Sequence, residues 1–254
     1  MLLQMAPARR LVSPTLLALA LVLALGSVVA APAPAEAATH RVNLYRQGDF
    51  VAQTNLVQCV GASMQMMINM LAKTNDRTAA TQLRLQVLAR EYSNRLSTPR
   101  PNRRGASVRG WAAGLNDLGY GPYAVVGFAT LDEAMTAAAR AIAFTKRPVG
   151  LLVWRGRHAW VMSGFQATAN PLKTQNFRVT HAVVLDPLYP GRSPTWGRSP
   201  APNTRLTVAA LGQDFVKRRM SNSNVSTSSA LNGKWVLVLP VTTYVTASPG
   251  AVPA

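Results

Sequence analysis

"QTNLVQCVGASMQMMINM", residues 53–70, contains the only cysteine of the chain, Cys59, at the point where the pattern turns helical. Ala62, Met66 and Met70, together with Met67 and Leu71, recur at spacings of three and four, as in a helix that buries one side. The spacing predicts a helix over 59–71 that opens at the cysteine. Helix N-termini carry unpaired N–H groups and the positive end of the dipole, and both favour a thiolate over a thiol. Cys59 is therefore a candidate nucleophile, although free cysteines are also common as small buried hydrophobes. Six positions earlier, Gln53 carries an amide that could face the same space. With the backbone N–H of Cys59 it would supply the two donors of an oxyanion hole.

A thiol nucleophile needs a base, and the chain has three histidines: His40, His158 and His181. His158 opens the second half of an apparent hairpin, "PVGLLVW-RGR-HAWVMSGF", where a sheet would hold its ring at the edge near the turn. Asp186 ends the run "HAVVLDP", and Pro187 imposes an extended residue before it. Side chains alternate along a strand, so a regular strand sends His181 and Asp186 to opposite faces. That parity pairs Asp186 with His158, in the nucleophile, base and orienter scheme of a catalytic triad. Asp186 as a plain strand-ending turn residue and His158 as a plain turn histidine are the structural alternatives.

Before the hairpin the pattern is largely helical. "RVNLYRQ" reads as a short first strand, "TAATQLRLQVLAREYSNRL" as a second helix and "STPRPNRRGAS" as a loop broken by prolines. "SVRGWAAGLNDLGYG" reads as a third helix stopping near Gly119, and "TLDEAMTAAARAIAFT" as a fourth with Thr130 or Asp132 near its start. "RPVGLLVW", "HAWVMSGF", "FRVTHAVVLD" and "KWVLVLPV" then read as strands, with a helix over roughly 207–217 before the last. Helices first and an antiparallel sheet afterwards give an α+β domain.

The order of helix-start Cys59, strand-borne His158 and Asp186 on the following strand, with Gln53 ahead of the cysteine, resembles the papain-like cysteine peptidase superfamily. More narrowly it is similar to the double-glycine leader (bacteriocin-processing) peptidases and their secreted bacterial relatives. The quoted residues span roughly Val42 to Asp186. The resemblance implies a papain-like fold, with an N-terminal helical part whose nucleophile helix packs on a C-terminal antiparallel sheet. It also implies a Cys59–His158–Asp186 triad with Gln53 as oxyanion donor, acting on a peptide or protein substrate without a cofactor. Two departures stand out: Val60-Gly61-Ala62 follows Cys59 where the family usually has Gly-Pro, and "QATANPLKTQN" lengthens the gap between His158 and Asp186. No G-x-x-x-x-G-K-[ST] motif occurs, which excludes a transporter-linked leader peptidase.

Composition sets the remaining bounds. Arg9 and Arg10, an apolar run and the small-residue stretch "APAPAEAA" follow the plan of a secretory signal peptide, with Ala35-Glu36-Ala37 as cleavage site. The apolar run is close to bilayer-spanning length, so an uncleaved anchor is the rival, and the Pro/Ala-rich segment favours cleavage. The expected organisation is a signal peptide over 1–37, one domain over 38–243 and a disordered tail over 244–254, in a secreted protein. Lys plus Arg number 27 against 9 Asp plus Glu; removing Arg9, Arg10 and Glu36 leaves 25 against 8, a net +17. Such a surface attracts polyanions, so contact with an anionic polymer or cell-envelope material is expected, without specific nucleic-acid recognition or stable membrane insertion. One cysteine and few histidines leave no zinc-ligand spacing, and no glycine fingerprint for a flavin or dinucleotide is present. Three readings remain open: a peptidase, an amidase or transpeptidase using the same groups, and a catalytically silent basic binding module on the same scaffold. Trp111, Trp154, Trp160, Trp196 and Trp235 would give the last its stacking surfaces.

Overall fold

The computed structural model describes residues 39–96, 104–219 and 229–242, and the backbone of 251–252. The signal peptide expected over 1–37, most of the "STPRPNRRGAS" loop and most of the tail after Thr243 lie outside the described residues. Among those described, no helix is long and apolar enough to cross a membrane.

The architecture is mixed helix and antiparallel sheet. Five α-helices are described: α1 (Cys59–Ala72), α2 (Ala79–Arg95), α3 (Val108–Asp117), α4 (Leu131–Thr145) and α5 (Val208–Asp214). The principal strands are β1 (His40–Asn43), β2 (Tyr123–Phe128), β3 (Val149–Val153), β4 (His158–Ala167) and β5 (Val179–Leu185). Two short strands, β6 (Arg192–Ser193) and β7 (Gly197–Arg198), form a separate hairpin, followed by β8 (Thr204–Thr207), β9 (Trp235–Pro240) and β10 (Ala251–Val252). The main sheet runs β10-β2-β9-β3-β4-β5-β8, and all its pairings are antiparallel. β3 pairs with the first half of β4, and β1 with its second half, from His40 opposite Ala167 to Asn43 opposite Gly164.

Strand alternation splits the core in two. Ala159, Val161, Val236 and Val238 turn to one face and pack with Val60, Met64 and Met67 of α1 and Trp111 and Leu115 of α3. Trp160, Met162, Leu151 and Leu237 turn to the other and pack with Met135, Ala138 and Ile142 of α4 and Leu211 of α5. Each such fully buried large side chain contributes about 1.5–3 kcal/mol. The helices begin where capping chemistry starts them. Thr78, Ser107 and Thr207 cap α2, α3 and α5 through their hydroxyls, and Thr130 with Glu133 makes a full capping box on α4.

Two features differ from the pattern-based reading. β2 interrupts the run of helices, so the sheet draws a strand from between α3 and α4. In addition, β6 to β8 occupy the stretch before α5, which begins at Val208 and ends at Asp214, three residues short of the expected Lys217.

α1 and α2 approach closely at Gly61. A Cβ there would lie 2.7 Å from the Gln82 carbonyl oxygen and 2.9 Å from Gln86 Cβ. Because the first neighbour is backbone, a Gly61→Ala change forces the helices apart. We expect it to lower stability by about 1–3 kcal/mol, measured as the urea midpoint. A midpoint equal to that of the unmodified chain would show that the contact relaxes without cost.

Candidate active site

Cys59 is the first residue of α1, where a backbone N–H has no intrahelical acceptor. No acidic side chain occupies the first turn, and the cap residue Gln58 makes no side-chain cap bond. α2 holds the approach to the helix instead. Gln82 accepts from the Thr54 N–H at 2.8 Å and donates to the Ala52 carbonyl at 2.9 Å. Gln86 accepts from the Gly61 N–H at 2.9 Å and donates to the Val57 carbonyl at 2.9 Å. Both glutamines are buried, so the segment carrying Gln53 and Cys59 is clamped by amides that have few other partners. Ser63, one turn into α1, donates to the Ala159 carbonyl at 3.3 Å and ties the cysteine helix to the strand that begins at His158.

His158 opens β4 opposite Val153 of β3 and is 5 % exposed. Its Nε2 lies 2.7 Å from Asp186 Oδ1, and Asp186 is fully buried one residue past the end of β5. The same Oδ1 accepts the Leu188 N–H at 2.8 Å, while Oδ2 has no hydrogen-bond partner among the described residues. With Nε2 given to Asp186, Nδ1 is the ring nitrogen left for the Cys59 thiol, which is the second hydrogen-bonding and charge partner of the ring. Burial alone would lower the His158 pKa, but the Asp186 hydrogen bond and then Cys59 outweigh it and raise it to about 9.

The sign of the stability effect follows. A histidine whose folded value lies above its ordinary 6.5 contributes stability fully below about pH 6.5 and loses it as pH rises through about 9. At 1.36 kcal/mol per pH unit this is on the order of 3 kcal/mol. We expect the unfolding free energy to decline between pH 7 and pH 9.5, and the decline to be absent in His158→Gln. Parallel pH profiles for the two proteins would refute the pairing.

Gln53 lies beside this centre: its backbone N–H donates to the Pro187 carbonyl, next to Asp186, at 2.7 Å. Its Nε2 gives one N–H to the Asn55 carbonyl at 2.8 Å and keeps the other free of acceptors among the described residues. Thus Cys59, His158 and Asp186 meet, with Gln53 adjacent through Pro187. His181 does not join them. It faces Gln166 and Thr207 farther along β5, and burial, with Arg205 and Arg41, holds its pKa below the usual value. His40, on β1, lies tilted against the Phe165 ring, with centroids 5.9 Å apart and planes at 42°.

Three further residues bear on the site. Trp154, in the β3–β4 turn, stacks on the His158 ring with centroids 4.1 Å apart and planes at 21°. Its indole N–H donates to Asp214 Oδ1 at 2.9 Å, and Trp196 of the β6–β7 hairpin lies parallel to it at 6.3 Å. An imidazolium on an indole face gains cation–π attraction, and the ring excludes water from that side. Burial, with the charge of Asp186, pushes the Asp214 carboxyl up against the opposing pull of the Trp154 N–H. Sequence gave no local sign of this contact, because Trp154 and Arg155 reach it through left-handed backbone, φ 56° and 57°, in residues other than glycine. Trp111 and Trp160, by contrast, are fully buried core.

Among the described residues no group of three His, Cys, Asp or Glu could hold a metal. No family model, curated protein or solved structure matches this chain.

Proposed function

We propose that this chain is a secreted thiol hydrolase of papain-like architecture, acting on peptide bonds. The observation that carries the reading is the buried 2.7 Å contact of His158 with Asp186, on an imidazole whose other partner is a cysteine at a helix start. In the proposed reaction the Cys59 sulfur attacks the scissile carbonyl carbon and the C=O electron pair moves onto oxygen. The Cys59 N–H and the free N–H of Gln53 stabilise that oxyanion. His158 passes its proton to the leaving amine as the C–N bond breaks, which leaves a thioester on Cys59. His158 then takes a proton from water, which attacks the thioester and releases the acid and the thiol. If an amine takes the place of water, the same groups carry out transpeptidation. Leu56, 83 % exposed and three residues before Cys59, offers an apolar contact to a substrate side chain.

The direct test is haloacetamide labelling of the folded protein at neutral pH, with the modified peptide read by mass spectrometry. Cys59 is partly exposed and should label at a rate far above that of the denatured chain, with loss of peptide hydrolysis in proportion. No labelling without denaturant would overturn the assignment.

Gln53→Ala is expected to lower kcat by roughly 10²–10³ while leaving KM nearly unchanged, because the lost donor acts on the oxyanion alone. Gln58→Ala is the comparison: that side chain accepts the Thr54 hydroxyl and is engaged within its own loop. A loss in Gln58→Ala equal to that in Gln53→Ala would mean that loop order, not oxyanion donation, is being measured.

A further inference from the structure

The second half of β4 carries a different chemistry from the first. Arg41 of β1, Gln166 of β4, His181 of β5 and Thr207 of β8 lie in one register row and share a face. Arg205 of β8 is two residues from Thr207 on that same face, and its Nη1 donates to Gln166 Oε1 at 3.1 Å. Arg41 and Arg205 are exposed, while Gln166 is only 9 % exposed. The Nε2 of Gln166 has no acceptor among the described residues, although its amide is fixed by Arg205. Neither arginine is in an ion pair with a carboxylate among the described residues. A buried amide held by one guanidinium, in a row that carries a second arginine and no acid among the described residues to balance them, leaves an unmet demand for an anion.

His181 completes the set. The Thr180 hydroxyl donates to the Gln166 carbonyl at 3.2 Å, so its oxygen accepts the His181 Nδ1–H at 3.0 Å. Nε2 of the neutral ring therefore carries no hydrogen and becomes a donor only when the ring is protonated. Two guanidinium forks, an amide N–H and an imidazolium N–H exceed what the two oxygens of a carboxylate accept, and they match the larger oxygen count of a phosphate.

We propose that Arg41, Gln166, His181 and Arg205 form a phosphate-binding site at this exposed row of β1, β4, β5 and β8, taking up a phosphate group either free or borne on a polymer. The site is separate from the Cys59 centre, since Gln166 follows His158 by eight residues along β4, roughly 26 Å at about 3.3 Å per residue. It does not depend on the chain being a hydrolase. The charged groups facing His181 are Arg41 from β1 and Arg205 from β8; β4 contributes the neutral Gln166. A bound phosphate cancels the repulsion of the two arginines and favours the protonated ring, so binding tightens as pH falls.

The experiment is an NMR titration of the histidine ring protons of the full chain, without ligand, with inorganic phosphate and with long-chain polyphosphate. The His181 midpoint is expected to rise by about one pH unit, equivalent to tenfold tighter binding to the protonated form. Movement with inorganic phosphate identifies a free-anion site, and movement with polyphosphate alone identifies a polymer-borne group. The double variant Arg41→Gln/Arg205→Gln should lose the shift. Arg77→Gln/Arg84→Gln, with the same change in net charge on exposed positions of the α1–α2 side, should keep it. An unmoved His181 with both ligands, or equal loss in the two double variants, would overturn the site.

Discussion

Replacing His158 with alanine is expected to lower peptide hydrolysis by about 10⁴-fold or more and to slow Cys59 alkylation at neutral pH. The first effect follows from the role of the imidazole in both half-reactions, since removal of one member of a triad typically leaves only the residual catalysis of the oxyanion hole and binding. The second follows from ground-state electrostatics: a ring held protonated up to about pH 9 is a cation beside the sulfur, and its loss removes what favours the reactive form. A urea transition separates cause from damage, because a merely misfolded chain loses its cooperative unfolding whereas loss of the partner gives a folded chain that labels slowly. His181→Ala is the matched comparison and should leave both readings largely intact, because His181 faces Gln166 and Thr207 instead of the cysteine. Full hydrolysis by the His158→Ala protein would end the proposed mechanism.

What the sequence made legible were features with short-range causes. The start of α1 at Cys59 follows from the three- and four-residue recurrence of its methionines, and the cap of α4 from Thr130 and Glu133. The β3–β4 hairpin is written in two apolar runs around "RGR". The meeting of His158 with Asp186 could be anticipated from parity along β5, a rule that needs only the strand itself. β2 was not anticipated, although "YAVVGF" has the β-branched content of a strand. It lies between two helical segments, and its partners β9 and β10 come from the far end of the chain. The clamps from Gln82 and Gln86 were equally hidden, because a glutamine inside a helix carries no mark of which loop carbonyl it will reach. Trp154 and Asp214 illustrate the same limit at the site itself: sixty residues separate them, and the turn that aims the indole uses a backbone conformation that its residue types disfavour.

The Asp186→Asn variant is expected to retain the fold and lose roughly 10²–10⁴ in turnover, less than His158→Ala. Asparagine Oδ1 can still accept from His158 Nε2 and from the Leu188 N–H, the two bonds that Asp186 Oδ1 makes at 2.7 and 2.8 Å. Ring orientation is therefore preserved, and Trp154 continues to cover the ring from its own side. What disappears is the negative charge, which strengthens the hydrogen bond that leads in raising the His158 pKa and adds a smaller Coulombic attraction of its own. Without it burial gains ground, the imidazolium is favoured less, and the alkaline limb of the activity and alkylation profiles moves to lower pH. Asp186→Ala separates charge from hydrogen bonding. It leaves the buried Nε2 of His158 without its acceptor, and breaking a buried pair from one side costs about 3–5 kcal/mol. The expected order of stability is thus wild type, then Asp186→Asn, then Asp186→Ala, read from urea midpoints at pH 6, where the contribution of the pair is fully present. An Asp186→Asn protein whose alkaline limb stays where the wild type has it would show that Asp186 sets the ring's position without setting its charge.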